Sequence, residues 1–211
     1  MINRFLKAKH WQLFLLTFGV PMVLYIFMMV SVITNIVIEE RPEHDVMLRY
    51  LAIWPVIMIV STGTLMGWIW SVVIGLHAHM PPGNAVSITR FKVFFFFPLI
   101  YMAIIVTTVS LVLLSWSGDP DFMKPSPVLI GAGVTAFILT HLFSMFCMFH
   151  SIYCVAKTVK AAEWKRSVTF NDFIGEFFLV WFFVIGVWIL QPKINKIIRG
   201  EFTGGGLPQF S

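Results

Sequence analysis

Cys147, His150 and Cys154 fall at i, i+3 and i+7, so on a helix they share one face. Thiolate sulfur and imidazole nitrogen are ligands for zinc or copper, and histidines facing each other across two helices hold haem. His77 and His79 would supply the facing pair. The spacing matches no recognised ligand motif, however, and cysteine on an apolar helix usually serves as small filler. The two cysteines are seven residues apart, roughly 10 Å along a helix, which is beyond disulfide reach. The sequence therefore assigns no metal and no cofactor. His141, deeper in the same run, reads as an inter-helix hydrogen-bond partner in preference to a proton relay. Thr62, Gly63 and Thr64 could break a helix and coordinate an ion through freed carbonyls. No charged residue sits at the same depth, so threonines bonding back to their own helix are the simpler account. Glu39, Glu40, Glu43 and Asp45 form an acidic group that reads as a solvated loop. There is no Gly-x-Ser-x-Gly, no His-Glu-x-x-His, no phosphate loop and no acidic pair inside an apolar run. No catalytic residue is assigned, and the expectation is a chain that is not an enzyme.

The elements that must position these residues are unusually apolar. Of 211 residues, 58% are hydrophobic and 12% charged, with a net charge of +5; the mean hydropathy is +0.86. A soluble domain carries about 25% charged residues, so this chain cannot clothe a compact core with a water-facing surface. The expected class is an all-α integral membrane protein, and the net positive charge reports loops on one side of a bilayer, not nucleic acid. Four runs exceed the ~20 apolar residues a crossing needs: Trp11 to Ile38, Leu51 to Leu76, Val93 to Trp116, and Val128 to Ala156 opened by Pro127. The first is too long for a signal peptide and is read as retained.

A fifth stretch, Phe173 to Leu190, contains Glu176 and leaves only Phe177 to Leu190 uncharged before Gln191 and Pro192. Loop charge arbitrates. With the N-terminus inside, a spanning fifth stretch puts nine basic residues inside and six outside, whereas a re-entrant or interfacial one puts twelve inside and three outside. The positive-inside rule prefers the second. The expected architecture is a bundle of four transmembrane helices plus a fifth re-entrant or interfacial segment, five crossings being the alternative. It forms one helical membrane domain over residues 1–200 and a flexible tail over 201–211, where Gly204, Gly205 and Gly206 stand. Pro192 is expected to open a short helix, ended by Gly200. Its Ile194, Ile197 and Ile198 would face lipid, and its Lys193, Lys196 and Arg199 would lie on the anionic cytoplasmic leaflet.

Gly63, Gly67, Ser71 and Gly75 recur every four residues on the second run, and Ala132, Ala136, Thr140 and Ser144 form a looser counterpart on the fourth. Small residues at this spacing let helix backbones approach closely. The two ladders are expected to pack on each other within one chain, with a homo-oligomer seam as the alternative.

Several phrases carry a resemblance. They are Ala8 to Phe14, Gly67 to Ser71, Phe91 through Pro98, Val155 to Thr158, and Asp172 to Phe178 running on to Gln191-Pro192-Lys193-Ile194-Asn195-Lys196. Over Lys7 to Ile197 the chain resembles a family of small, uncharacterised multi-pass inner-membrane proteins of Bacteroidetes-type bacteria. The resemblance implies the inner membrane of a Gram-negative cell and brings no activity and no site residues. Members of that family tend to carry basic residues where this chain has His77 and His79, and a proline where it has Val184. The functional expectation is a non-enzymatic protein in the lipid bilayer that works by helix packing, with itself as a homo-oligomer or with a membrane-protein partner, and without nucleic acid. The alternatives are a small channel or membrane-permeabilising effector of a defence system, lined by Thr62, Thr64, His141 and Ser144, and then a haem or metal protein.

Overall fold

The computed structural model describes residues 2–39, 44–81, 86–115 and 127–201. Glu40 and Glu43 of the acidic group and the expected flexible end over 202–211 lie outside the described residues.

Every regular element described is helical. A short α1 (Ile2–Lys7) precedes α2 (His10–Phe14), which runs through a π turn at Leu15–Gly19 into α3 (Val20–Glu39). Then come α4 (His44–Leu76), a 3₁₀ turn at His77–His79, α5 (Ile88–Ser115) and α6 (Pro127–Trp164). Pro127 is the first residue of α6, where its missing N–H costs nothing. Among the described residues, four stretches are long and apolar enough to cross a membrane: His10–Thr34, Trp54–His79, Ile88–Leu111 and Gly131–Trp164. They coincide with the four apolar runs. The fourth helix continues eight residues past Ala156, because Val159, Ala161 and Ala162 are buried against the rest of the bundle.

The fifth stretch is two helices. α7 (Phe170–Trp181) and α8 (Phe183–Ile198) are separated by Phe182, whose ψ of 56° leaves the helical region. The chain then doubles back. Lys193 Nζ lies 2.9 Å from Glu176 Oε1, whereas a straight helix would hold these residues roughly 25 Å apart. Gly186 permits the return: a Cβ there would collide with the backbone carbonyl of Leu179. α8 runs unbroken through Pro192, so the expected separate helix opening at that proline is corrected. It ends at Gly200, as expected, in a left-handed turn (φ 72°) where Glu201 N–H reaches Lys196 O.

Packing is uneven along the bundle. At the end holding α1 and the base of the α7–α8 hairpin, Trp68, Val72, Leu76, Phe91, Leu190 and Ile194 are fully buried in one core. Toward the other end the helices separate, and residues 131–139 of α6 are exposed around the whole circumference of the helix.

Candidate functional site

Two clusters of buried polar groups lie at the close-packed end, both organised by α8. Lys160 and Glu163, three apart on α6, present an ammonium and a carboxylate to the hairpin. Lys193 of α8 and Glu176 of α7 complete a ring in which each ammonium meets both carboxylates. Lys160 Nζ is 3.0 Å from Glu176 and 3.4 Å from Glu163; Lys193 Nζ is 2.9 Å from Glu176 and 3.0 Å from Glu163. The Glu176 side chain is only 8% exposed. Burial pushes its carboxyl up, but the hydrogen bonds from Lys193 and Lys160 outweigh that and hold it below the usual carboxylate range. Burial pulls the Lys193 ammonium down, and its bonds to Glu176 and Glu163 more than restore it, so it sits above the ordinary lysine value. The α7 start is fixed separately: Asp172 accepts from the Thr169 N–H (2.7 Å) and hydroxyl (2.9 Å), which hold its carboxyl low.

The second cluster centres on Gln191, fully buried. Its Oε1 accepts from Trp68 Nε1 of α4 at 2.7 Å. Its Nε2 donates into a cradle of carbonyls at the C-terminal end of α1, those of Phe5 (3.0 Å), Leu6 (3.1 Å) and Ala8 (3.0 Å). Asn195, one turn on, adds a bond to Ala8 O at 3.3 Å. These are the carbonyls a helix C-terminus leaves without intrahelical partners, so Gln191 caps α1 and ties it to α4 and α8.

α1 occupies the small-residue ladder. A Cβ on Gly67 would meet the Phe5 ring at 2.7 Å, and one on Gly75 would run into the Leu6 side chain; Ser71 between them is buried. Gly63 faces open space. On α6, Ala132 and Ala136 are exposed, Thr140 is half-buried and bonded back to Ala136 O, and Ser144 is buried. The two ladders therefore do not form one seam within the chain. The N-terminal helix takes the place expected for α6, because its phenylalanine and leucine fill the notch the glycines leave.

The expectation of an amphipathic tail lying on lipid is also corrected. Ile194 and Ile197 are buried in the protein core, Lys193 belongs to the charge ring, Arg199 pairs with Glu201 at 2.8 Å, and Lys196 is exposed. His141 does meet a neighbouring helix, its Nδ1 lying 3.2 Å from the Tyr101 hydroxyl. Thr64 bonds back to Val60 O at 2.7 Å. Cys147 and Cys154 are free and buried, with Cys154 Sγ 3.5 Å from His150 Nε2. Among the described residues no three His, Cys, Asp or Glu side chains converge as a metal site would need.

Two apolar cavities lie toward the looser end. One of about 350 Å³ is floored by the hairpin turn Val180–Ile185 and walled by Phe18, Leu65, Ile69, Met148 and Ile152. The other, about 300 Å³, separates α4 from α5 and is lined by Thr62, Gly63, Met102 and Thr107 among others. His141 and Ser144 line neither.

No family model, curated protein or solved structure matches this chain. Function has to be argued from the geometry alone. The sequence pointed at Glu176 as the lone charge in an apolar stretch but set its partner Lys193 on the lipid surface. No spacing marks Gln191 as a site, and its signal is a single amide between Leu190 and Pro192 in an apolar run.

Proposed function

We propose that this chain is a multi-pass inner-membrane protein, not an enzyme, that acts through helix packing, with a second copy of itself or with another membrane protein. Four helices cross the bilayer, with the N-terminus in the cytoplasm. The α7–α8 hairpin enters from the cytoplasmic side, turns near mid-membrane and returns, so the C-terminus is cytoplasmic too. Its turn shares a cavity with Leu65 and Ile69, near the middle of the second span, while its base is closed by the Glu176–Lys193 contact. Membership of the resembled Bacteroidetes-type family belongs to the same proposal.

The observation that carries the packing role is the outer part of α6. Residues 131–139 are exposed on every face, and Gly131, Gly133, Ala132 and Ala136 keep that surface thin enough for a second helix to approach closely. At the close-packed end the charge ring and Gln191 are meanwhile engaged in holding the hairpin and α1. The test is crosslinking in native membranes with Ala136→Leu beside Gly67→Leu. The first should abolish the crosslinked species; the second should perturb only α1 and leave assembly intact. Crosslinking unaffected by Ala136→Leu would sink the seam.

A further inference from the structure

The inner end of the bundle holds twelve lysines and arginines against four acids among the described residues. Each of those acids is taken by a base of the same chain: Glu163 and Glu176 by Lys160 and Lys193, Asp172 by Arg166, Glu201 by Arg199. What remains outside is cationic. Lys7, Lys9, Arg90, Lys92 and Lys165 are all exposed and enter no ion pair among the described residues. Their places follow a rule. Lys7 and Lys9 stand just before the first span, Arg90 and Lys92 in the opening turns of the third, and Lys165 directly after the fourth. The three sites lie at one end of the molecule, since Leu6 packs at Gly75, Phe91 packs on Trp70 of the same stretch of α4, and Met80 just beyond α4 packs on the cluster holding Ala161, near the end of α6.

We infer that this rim is a binding surface for the anionic headgroups of membrane phospholipids. The inference rests on the membrane reading above. Charge complementarity selects a phosphate-bearing anion, and the surroundings select a lipid over an acidic protein. Trp11 (45% exposed) follows Lys9 closely, and Val93 (64% exposed) adjoins Lys92. Lys9 and Lys92 thus stand beside bare apolar helix, where the acyl chain of the same lipid packs. The surface is distinct from Lys193 and Lys160, whose charges are spent inside the protein.

The full chain, reconstituted into phosphatidylethanolamine vesicles doped with spin-labelled phosphatidylglycerol or phosphatidylcholine, provides the test. The motionally restricted lipid fraction should favour phosphatidylglycerol by at least about threefold at low salt and approach parity at about 0.5 M salt. The variant Lys7→Gln/Lys9→Gln/Arg90→Gln/Lys92→Gln should lose most of that preference while melting at the wild-type temperature. Should that variant fail to fold, the wild-type salt titration decides alone. Equal retention of the two lipids by wild type would overturn the inference, as would a preference untouched by salt. So would lipid parity accompanied by salt-sensitive recovery of an acidic protein. A chain extractable by alkaline carbonate would instead overturn the membrane reading itself, which keeps the two failures apart.

Discussion

Glu176 holds two ammonium groups at once, and removing its charge leaves Lys160 and Lys193 sharing Glu163 alone. A half-buried cation stripped of its partner is strongly unfavourable, so Glu176→Gln should cost about 3 kcal/mol, read as a lowered melting temperature in detergent. The pH dependence follows from the shifts. The Glu176 carboxyl is held below its ordinary value, so its contribution is complete above the ordinary carboxylate range and disappears as pH falls through the depressed value. Lys193 is raised, so its contribution is complete below the ordinary lysine value and is lost as pH climbs through the raised one. Wild type and Glu176→Gln should therefore differ most near neutral pH and converge in strong acid; a constant difference down to acid would contradict the ring. Gln191 makes the complementary prediction. Gln191→Leu strands the Trp68 N–H and the Leu6 carbonyl, at about 2 kcal/mol. Hydrogen exchange over residues 2–8 should accelerate before exchange in α4 does.

At the scale of elements, the hairpin depends on how near α8 comes to α7. Gly186→Ala puts a methyl into the Leu179 carbonyl, which cannot swing aside as a side chain would. Overpacking against backbone should cost about 3 kcal/mol. Gly175→Ala in the same hairpin meets nothing within 4 Å, so it should be neutral or gain up to about 1 kcal/mol from helix propensity. Thermal melts of the pair check this, and equal effects would mean the two helices do not close on each other. The glycine ladder behaves likewise: its spacing announced a close helix contact, yet which helix arrives is a matter of shape. α1 has only six residues, too few for a stable isolated helix. It is held by the Gln191 cap and by the notch over Gly67 and Gly75.

For the molecule as a whole, the proposed topology makes both termini cytoplasmic. Reporters fused before Met1 and after Ser211 should register on the cytoplasmic side; a periplasmic signal from the second would mean that α7 and α8 cross after all. The proposed packing role rests on the uneven packing. The half that holds α1 is closed by a charge ring, an amide cap and an aromatic core, while at the opposite end residues 131–139 of α6 are exposed and apolar cavities open. Rigidity at one end and unfilled surface at the other suit a protein that offers its outer helices to a partner.

Composition and run length determined the all-helical class and the four long apolar helices, because an apolar segment of that length satisfies its backbone hydrogen bonds within itself. Glu176 was legible for the same reason, a charge being conspicuous where every other residue is apolar. Periodicity could not say that Ile194 and Ile197 face protein and not lipid, since both surroundings are equally apolar. Nor could it pair Glu176 with Lys193, seventeen residues on, or Gln191 with carbonyls near the N-terminus. Those contacts exist only once the chain turns back at Phe182 and α1 folds beneath α4, and such long-range closures leave no local spacing to read. The tertiary structure decided them through one glycine that lets two backbones touch and one amide that joins three helices.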